Sequence, residues 1–127
     1  MISILNIKSS FYFYLVIMLS FGCSKFGCND EVVNRVKSID SRYIAIHSIK
    51  KCGATVSNIH NVSIIEKNHK IKEGNIVLKA DKVEDLILLW RDNENLEISY
   101  TNARIWNFKN FASFQNNTVH ILEKPGR

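Results

Sequence analysis

An uncharged apolar run near the N-terminus, Phe11 to Phe21, leads directly into Gly22 and Cys23, and it restricts the chain more than any other feature. Lys8 is the only charged residue before this run. A charged start, an apolar run of about 7 to 15 residues and small residues at the cleavage point are the order found in secretory signals. The run is too short to cross a membrane, since a spanning helix needs about 20 apolar residues. We therefore predict a signal peptide over residues 1–22.

The residues before Cys23 resemble the cleavage site of a bacterial lipoprotein signal. Ser20 and Gly22 provide small side chains at the third and first positions before the cysteine. The sequence departs from the usual pattern at two points, because Leu19 lies one position too far upstream and the bulky Phe21 precedes the glycine. The resemblance implies that the Cys23 thiol is lipidated, becomes the mature N-terminus and anchors the protein. Simple secretion and a retained membrane anchor are the alternatives.

The chain has three cysteines, Cys23, Cys28 and Cys52. An odd cysteine in an exported protein would be a reactive thiol or an intermolecular crosslink. If Cys23 carries lipid, the other two remain as a pair, and in an oxidising compartment we expect them to form a disulfide. The chain-entropy relation gives such a bond a stabilising effect of about 3 kcal/mol. The alternative is a metal or redox pair, for which the chain has neither a ligand spacing nor a Cys-x-x-Cys motif.

The chain after the predicted signal is long enough for one domain with one hydrophobic core. We predict a short tether over residues 23–30 and a single domain over residues 31–127. The formal net charge of the whole chain is +5, and the charges are spread along it. An ordinary solvated surface is the main interpretation, and contact with anionic lipid or polymer is the alternative. Because the arginines are not clustered, nucleic acid is not an expected partner.

Short segments with an apolar period of two dominate the predicted domain. Leu96, Ile98 and Tyr100 alternate with polar residues, which is typical of a strand buried on one face. Further runs of strand length are 31–36, 42–49, 61–65, 75–80, 84–90, 103–108 and 118–122. Polar connectors of hairpin length separate many of them and favour an antiparallel meander. We therefore predict an all-β domain of about seven strands, either a small antiparallel sandwich or an open barrel.

The run 84–90 is apolar on both of its predicted faces. Alternate side chains would point in opposite directions, Leu86, Leu88 and Trp90 to one face and Ile87 and Leu89 to the other. Strands covered on both sides have this composition. We therefore expect this strand to be central and covered on both faces.

Several segments resemble a group of small, uncharacterised bacterial lipoproteins built around a Cys-Gly-Ala-Thr segment. The segments that carry the likeness are 28–32, 38–45, 52–55, 62–64 and 74–81, followed by Trp90, Leu96, Ile98 and Tyr100. The sequence departs from the group in having Lys50-Lys51 before Cys52 and Val56-Ser57 after Thr55. The resemblance implies an envelope lipoprotein with a Cys28–Cys52 bond, and it implies no activity.

No pattern in the chain predicts catalysis. A nucleophile at Cys52 would need a free thiol and a nearby base, such as His47 or His60 across a hairpin. The main interpretation is that Gly53 makes the turn that a disulfide requires. The histidines have no ligand spacing, and no loop carries the oxygen ligands of a Ca²⁺ site, so we expect no metal and no cofactor. We expect that the protein is not an enzyme.

Aromatic and basic residues crowd the segment 104–114, RIWNFKNFASF. Packing in the core or over the end of a sheet is the main interpretation. If the segment is exposed, it would bind a peptide or a glycan by ring stacking, and its basic residues would attract acidic groups. The candidate patch consists of Arg104, Trp106, Phe108, Lys109 and Phe111.

These observations predict a lipoprotein that is exported to the bacterial cell envelope and anchored in a membrane, where it faces the periplasm or the cell surface. We expect a non-catalytic accessory protein that binds a protein or glycan partner. The alternatives are an inhibitor or immunity-type protein that blocks an envelope-acting enzyme, and a small envelope hydrolase. Histidine and carboxylate side chains that converge in a cleft would favour the hydrolase, whereas an aromatic and basic surface would favour binding.

Overall fold

The computed structural model describes residues 27–53, 55–70 and 74–125, so the predicted signal peptide and Cys23 lie outside the described residues. Over the described ranges the chain forms nine strands and no helix. The strands are β1 (Asn29–Lys37), β2 (Tyr43–Lys51), β3 (Ile59–Glu66), β4 (Asn75–Glu84), β5 (Ile87–Trp90), β6 (Asn95–Ser99), β7 (Asn102–Phe108), β8 (Phe111–Ser113) and β9 (Thr118–Lys124). The predicted all-β class is confirmed.

The strands form two sheets that do not close into a barrel. Sheet A has the order β1-β2-β3-β4-β7, and sheet B has the order β5-β6-β9-β8. Strands β1 to β4 pair antiparallel with their neighbours along the chain, as expected for a meander. The meander ends at β4, because β7 returns to pair with β4 and β6 pairs in parallel with β9. The chain thus passes between the sheets, as in a β-sandwich.

The core lies between the two sheets, where alternate side chains of both point inward. Its fully buried members include Ala45 and Ile64, which are directly paired across β2 and β3, and Ile98 of β6. The ring of Tyr43 lies 6.4 Å from that of Trp90 across the sandwich. Trp90 also donates a hydrogen bond of 2.9 Å from Nε1 to a backbone oxygen of β1. Apolar packing and this bond hold the two sheets in a fixed arrangement.

The run 84–90 does not form a central strand, so that prediction is wrong. Residues up to Glu84 belong to β4 in sheet A, and Asp85, with a φ of 55°, lies in the turn after it. β5 is an edge of sheet B. Leu88 faces the core, but Ile87 and Leu89 are 59% and 47% exposed. The outer face of this strand is apolar although no other layer of the described residues covers it.

Candidate binding sites

The disulfide between Cys28 and Cys52 is present, as predicted, with an S–S distance of 2.03 Å and a Cα–Cα distance of 4.1 Å. The two cysteines flank the last paired residues of β1 and β2, where Asn29 lies opposite Lys51. The bond therefore closes the open end of this hairpin. Gly53 follows with a φ of 136°, a conformation that residues with a side chain rarely adopt. A cysteine in a disulfide has no thiolate, so Cys52 is not available as a nucleophile.

His47 of β2 and His60 of β3 lie side by side on the inward face of sheet A. His47 Nε2 and His60 Nδ1 are 2.8 Å apart, and the ring centres are 5.1 Å apart. His47 is only 6% exposed. Burial lowers the pKa of His47 to about 4, and the neighbouring His60 contributes in the same direction. Burial also lowers the pKa of His60, while the charge of Asp81 acts in the opposite direction. Both rings are therefore neutral at pH 7.

The open cavities on the surface of the described residues include three of about 480 to 620 Å³. The first, of about 590 Å³, contains Tyr100, whose hydroxyl donates a hydrogen bond to Glu123. Burial, together with this bond, raises the pKa of Tyr100 to about 12. The second, of about 620 Å³, lies beside β8, and the third, of about 480 Å³, lies beside the disulfide. Neither His47 nor His60 lines any of the three. No group of three or more metal-binding side chains occurs within the described ranges.

A cluster of Asp81, Arg104 and Trp106 lies where β7 forms an edge of sheet A. Arg104 donates two hydrogen bonds to the Asp81 carboxylate, one of them from Nε at 2.7 Å. These bonds hold the pKa of Asp81 below its ordinary value. Asp81 is 1% exposed, whereas Trp106 is 62% exposed. The guanidinium lies 5.1 Å from the centre of the Trp106 ring. A buried carboxylate thus fixes an arginine against an exposed indole ring.

The pairing of β4 with β7 explains why Trp106 is exposed. Lys79 pairs with Asn107 and Ala80 pairs with Ile105, so Trp106 is the extra residue of a β-bulge. A bulge bends its strand and changes the direction of a side chain. The alternation of inward and outward side chains along β7 is therefore interrupted at Trp106, and the pattern of the sequence does not fix which way the indole ring points.

The predicted patch is divided between two neighbouring surfaces. Arg104 and Trp106 belong to the cluster at the edge of sheet A. Phe108 packs against the core, and Lys109 and Phe111 are exposed, with Phe111 at 51%. Phe108, Lys109 and Phe111 line the cavity of about 620 Å³ beside β8, and Arg104 and Trp106 do not. The sequence thus identified these residues but did not show that they lie on two different surfaces.

The outer face of sheet B has a feature that no sequence pattern predicted. Glu97 of β6 lies opposite Leu89 of β5 and Leu122 of β9, and the two leucines are 47% and 53% exposed. Glu97 itself is 5% exposed. Lys124 Nζ and Arg91 Nη2 lie 2.7 Å and 2.8 Å from its Oε1, and these contacts lower the pKa of Glu97. The outer face of sheet B thus presents two exposed leucines on either side of a carboxylate whose charge is neutralised by Lys124 and Arg91.

Within the described ranges, no helix is long and apolar enough to cross a membrane. No protein-family model matches the sequence, and neither a curated protein nor a solved structure is significantly similar to it.

Proposed function

We propose that this protein is a lipid-anchored accessory protein of the bacterial cell envelope, which binds a protein or glycan partner without catalysis. The Cys28–Cys52 disulfide is the observation that carries the proposal. Disulfides persist in oxidising compartments such as the envelope. The bond also leaves Cys23, directly after the apolar run, as the one cysteine outside the pair. Lipidation of Cys23 removes the reactive thiol that such a residue would otherwise present.

The binding function is supported by the cluster of Asp81, Arg104 and Trp106. Tryptophan and arginine are enriched among the residues that contribute most to protein interfaces. Asp81 already holds the guanidinium in place, so binding a partner costs little conformational entropy there. Lys109 is exposed on the neighbouring surface beside β8 and forms no ion pair with the described residues. We infer a partner that offers an apolar or sugar-ring surface for Trp106 with acidic groups beside it.

Inhibition of an envelope enzyme is the second candidate function. The exposure of Trp106 at a bulge of an edge strand favours it, because a single large side chain beside a free strand edge suits an active-site cleft. The hydrolase alternative has no such support, since His47 and His60 line none of the three cavities described.

Replacing Cys23 with alanine tests the anchor. We expect Cys23→Ala to lose acyl labelling and to pass from the membrane fraction to the soluble fraction, because the thiol is the attachment point. Metabolic labelling with an alkyne fatty acid, followed by fractionation, measures both effects. Ser24→Ala is the matched control and should keep its label, and equal membrane retention of Cys23→Ala and the parent would contradict the anchor.

Photo-crosslinking in intact cells tests the binding surface. A photoreactive residue at Asn107, beside Trp106, should give a discrete crosslinked product, and the same residue at Leu122 on the outer face of sheet B should not. Adding Trp106→Ala to the Asn107 probe should remove most of the product, since a central tryptophan contributes about 2 kcal/mol or more, roughly 30-fold in affinity. A yield that does not depend on Trp106 would overturn this assignment.

A further inference from the structure

The cavity of about 480 Å³ beside the disulfide lies on the face of sheet A that points away from the core. Alternate residues of β1, β2 and β3 line it, because the pleat directs every second side chain to this face. Ile76 and Lys79 of β4 complete the lining on either side of a register shift between β3 and β4. Ser48, Asn61 and Lys79 form one row across the sheet, since Ser48 pairs with Asn61 and Asn61 pairs with Lys79. The lining is therefore positioned by paired strands, and the disulfide closes one end of it.

One buried polar atom of this cavity has no hydrogen-bond partner. Asn61 Oδ1 is buried and accepts no hydrogen bond within the described structure. Lys50 and Lys79 line the same cavity, and neither forms an ion pair with the described residues. Asp30 adds one carboxylate to the lining. A buried acceptor without a partner, beside two unpaired ammonium groups, suits a ligand that carries both a hydrogen-bond donor and a negative charge.

The position of the cavity relative to the predicted anchor restricts the source of such a ligand. Cys28 lines the cavity and follows Cys23 by five residues. Five extended residues span at most about 18 Å. If Cys23 carries acyl chains, the cavity is held within that distance of the lipid headgroups. Val32 and Ile76, which are 39% and 47% exposed, add apolar surface to the lining.

We propose that this cavity binds the headgroup of a phospholipid. The phosphate lies between Lys50 and Lys79, and a hydroxyl or ammonium group of the headgroup donates to Asn61 Oδ1. Val32 and Ile76 contact the first carbons of the lipid. The proposal rests on the proposed lipid anchor for its membrane setting, whereas the binding itself needs only the cavity. A soluble phosphate ester shares part of this chemistry, so the test must separate the two sources.

The test measures binding of short-chain lipids to the full-length protein, purified in a non-ionic maltoside detergent, by calorimetry. Dihexanoyl phosphatidylglycerol and dihexanoyl phosphatidylethanolamine carry a phosphate and a donor, and we expect both to bind. Dihexanoyl phosphatidylcholine has no headgroup donor and should bind more weakly. Glycerol 3-phosphate lacks the acyl chains and should also bind more weakly. If glycerol 3-phosphate binds as tightly as phosphatidylglycerol, the ligand is a soluble phosphate and the lipid assignment is overturned.

Charge-removing variants test the residues of the cavity. Lys50→Gln and Lys79→Gln should each weaken phosphatidylglycerol binding about fivefold, the effect of one basic residue at an anionic lipid surface. Lys82→Gln is the matched control, because Lys82 is exposed on β4 but does not line the cavity. Thermal unfolding of each variant should match that of the parent. Unchanged affinity in the Lys50→Gln, Lys79→Gln double variant would overturn the proposal.

The Cys23→Ala variant separates this proposal from the anchor. We expect full-length Cys23→Ala to bind the short-chain lipids as the parent does. Lipid binding without acyl labelling of the parent would contradict the anchor alone. Acyl labelling without lipid binding would contradict the headgroup site alone.

Discussion

Replacing Cys28 and Cys52 together with serine should lower the free energy of unfolding by about 3 kcal/mol. The bond joins residues 24 positions apart and restricts the unfolded chain accordingly. Urea unfolding followed by tryptophan fluorescence measures the effect, since Trp90 lies in the core with 7% exposure. The urea midpoint should fall, and the dependence on urea should rise somewhat, because the unfolded chain without the crosslink exposes more surface.

Amide exchange measures where in the structure stability is lost. The disulfide closes one end of β1, whereas the opposite end is held by the hydrogen bond from Trp90 to the Val36 oxygen. Without the disulfide, amide exchange should therefore increase most around Asn29, at the start of β1, and least near Val36. Cys23→Ala is the matched control and should leave the midpoint unchanged. A double variant as stable as the parent would show that the bond does not contribute to stability.

Acidification from pH 7 to pH 4 should destabilise the protein by about 2 to 3 kcal/mol through the buried histidine pair. The pKa of His47 is about 4 in the folded state, against an ordinary value of 6.5. Between these values the unfolded chain binds more protons, so stability is complete above pH 6.5 and is lost as the pH falls toward 4. The lowered pKa values of Asp81 and Glu97 act in a lower range, below the ordinary values of 3.8 and 4.5. The histidine effect is therefore separable from that of the carboxylates.

Histidine variants assign this pH dependence to its source. His47→Gln should remove most of the change in urea midpoint between pH 6.5 and pH 4.5, because glutamine does not titrate. His60→Gln should remove a smaller part. His120→Gln is the matched control, since His120 is exposed on β9. If the parent and His47→Gln lose stability at the same rate on acidification, His47 does not carry the effect.

The period of two in the sequence was sufficient to predict most strands and the fold class, because one face of each strand is buried between the sheets. It could not place β5, since an apolar outer face has the same pattern whether another layer covers it or it is exposed, as at Ile87 and Leu89. β8 was missed because its three residues, Phe111–Ser113, are too few to show an alternation. The crossings between sheets depend on long-range pairing, which local pattern does not encode.

The sequence predicted part of the candidate binding sites. Composition alone identified Arg104 and Trp106, but their partner Asp81 lies on another strand and belongs to no motif. The separation of Trp106 from Phe111 depends on the bulge in β7 and on the passage of the chain from sheet A to sheet B. The cavity beside the disulfide was not predicted, because residues of four strands line it and no contiguous segment does.

The position of β9 determines when the domain can fold. β9 lies inside sheet B, between β6 and β8, and contributes the buried Val119 and Ile121 to the core. Until residues 118–124 are available, β6 has an unpaired edge and β8 has no partner, so sheet B is incomplete. Sheet B is therefore completed only when residues that are distant in sequence have paired, and long-range pairing of this kind is slow. If the protein is exported as we propose, this order would delay stable folding until the residues of β9 have crossed the membrane.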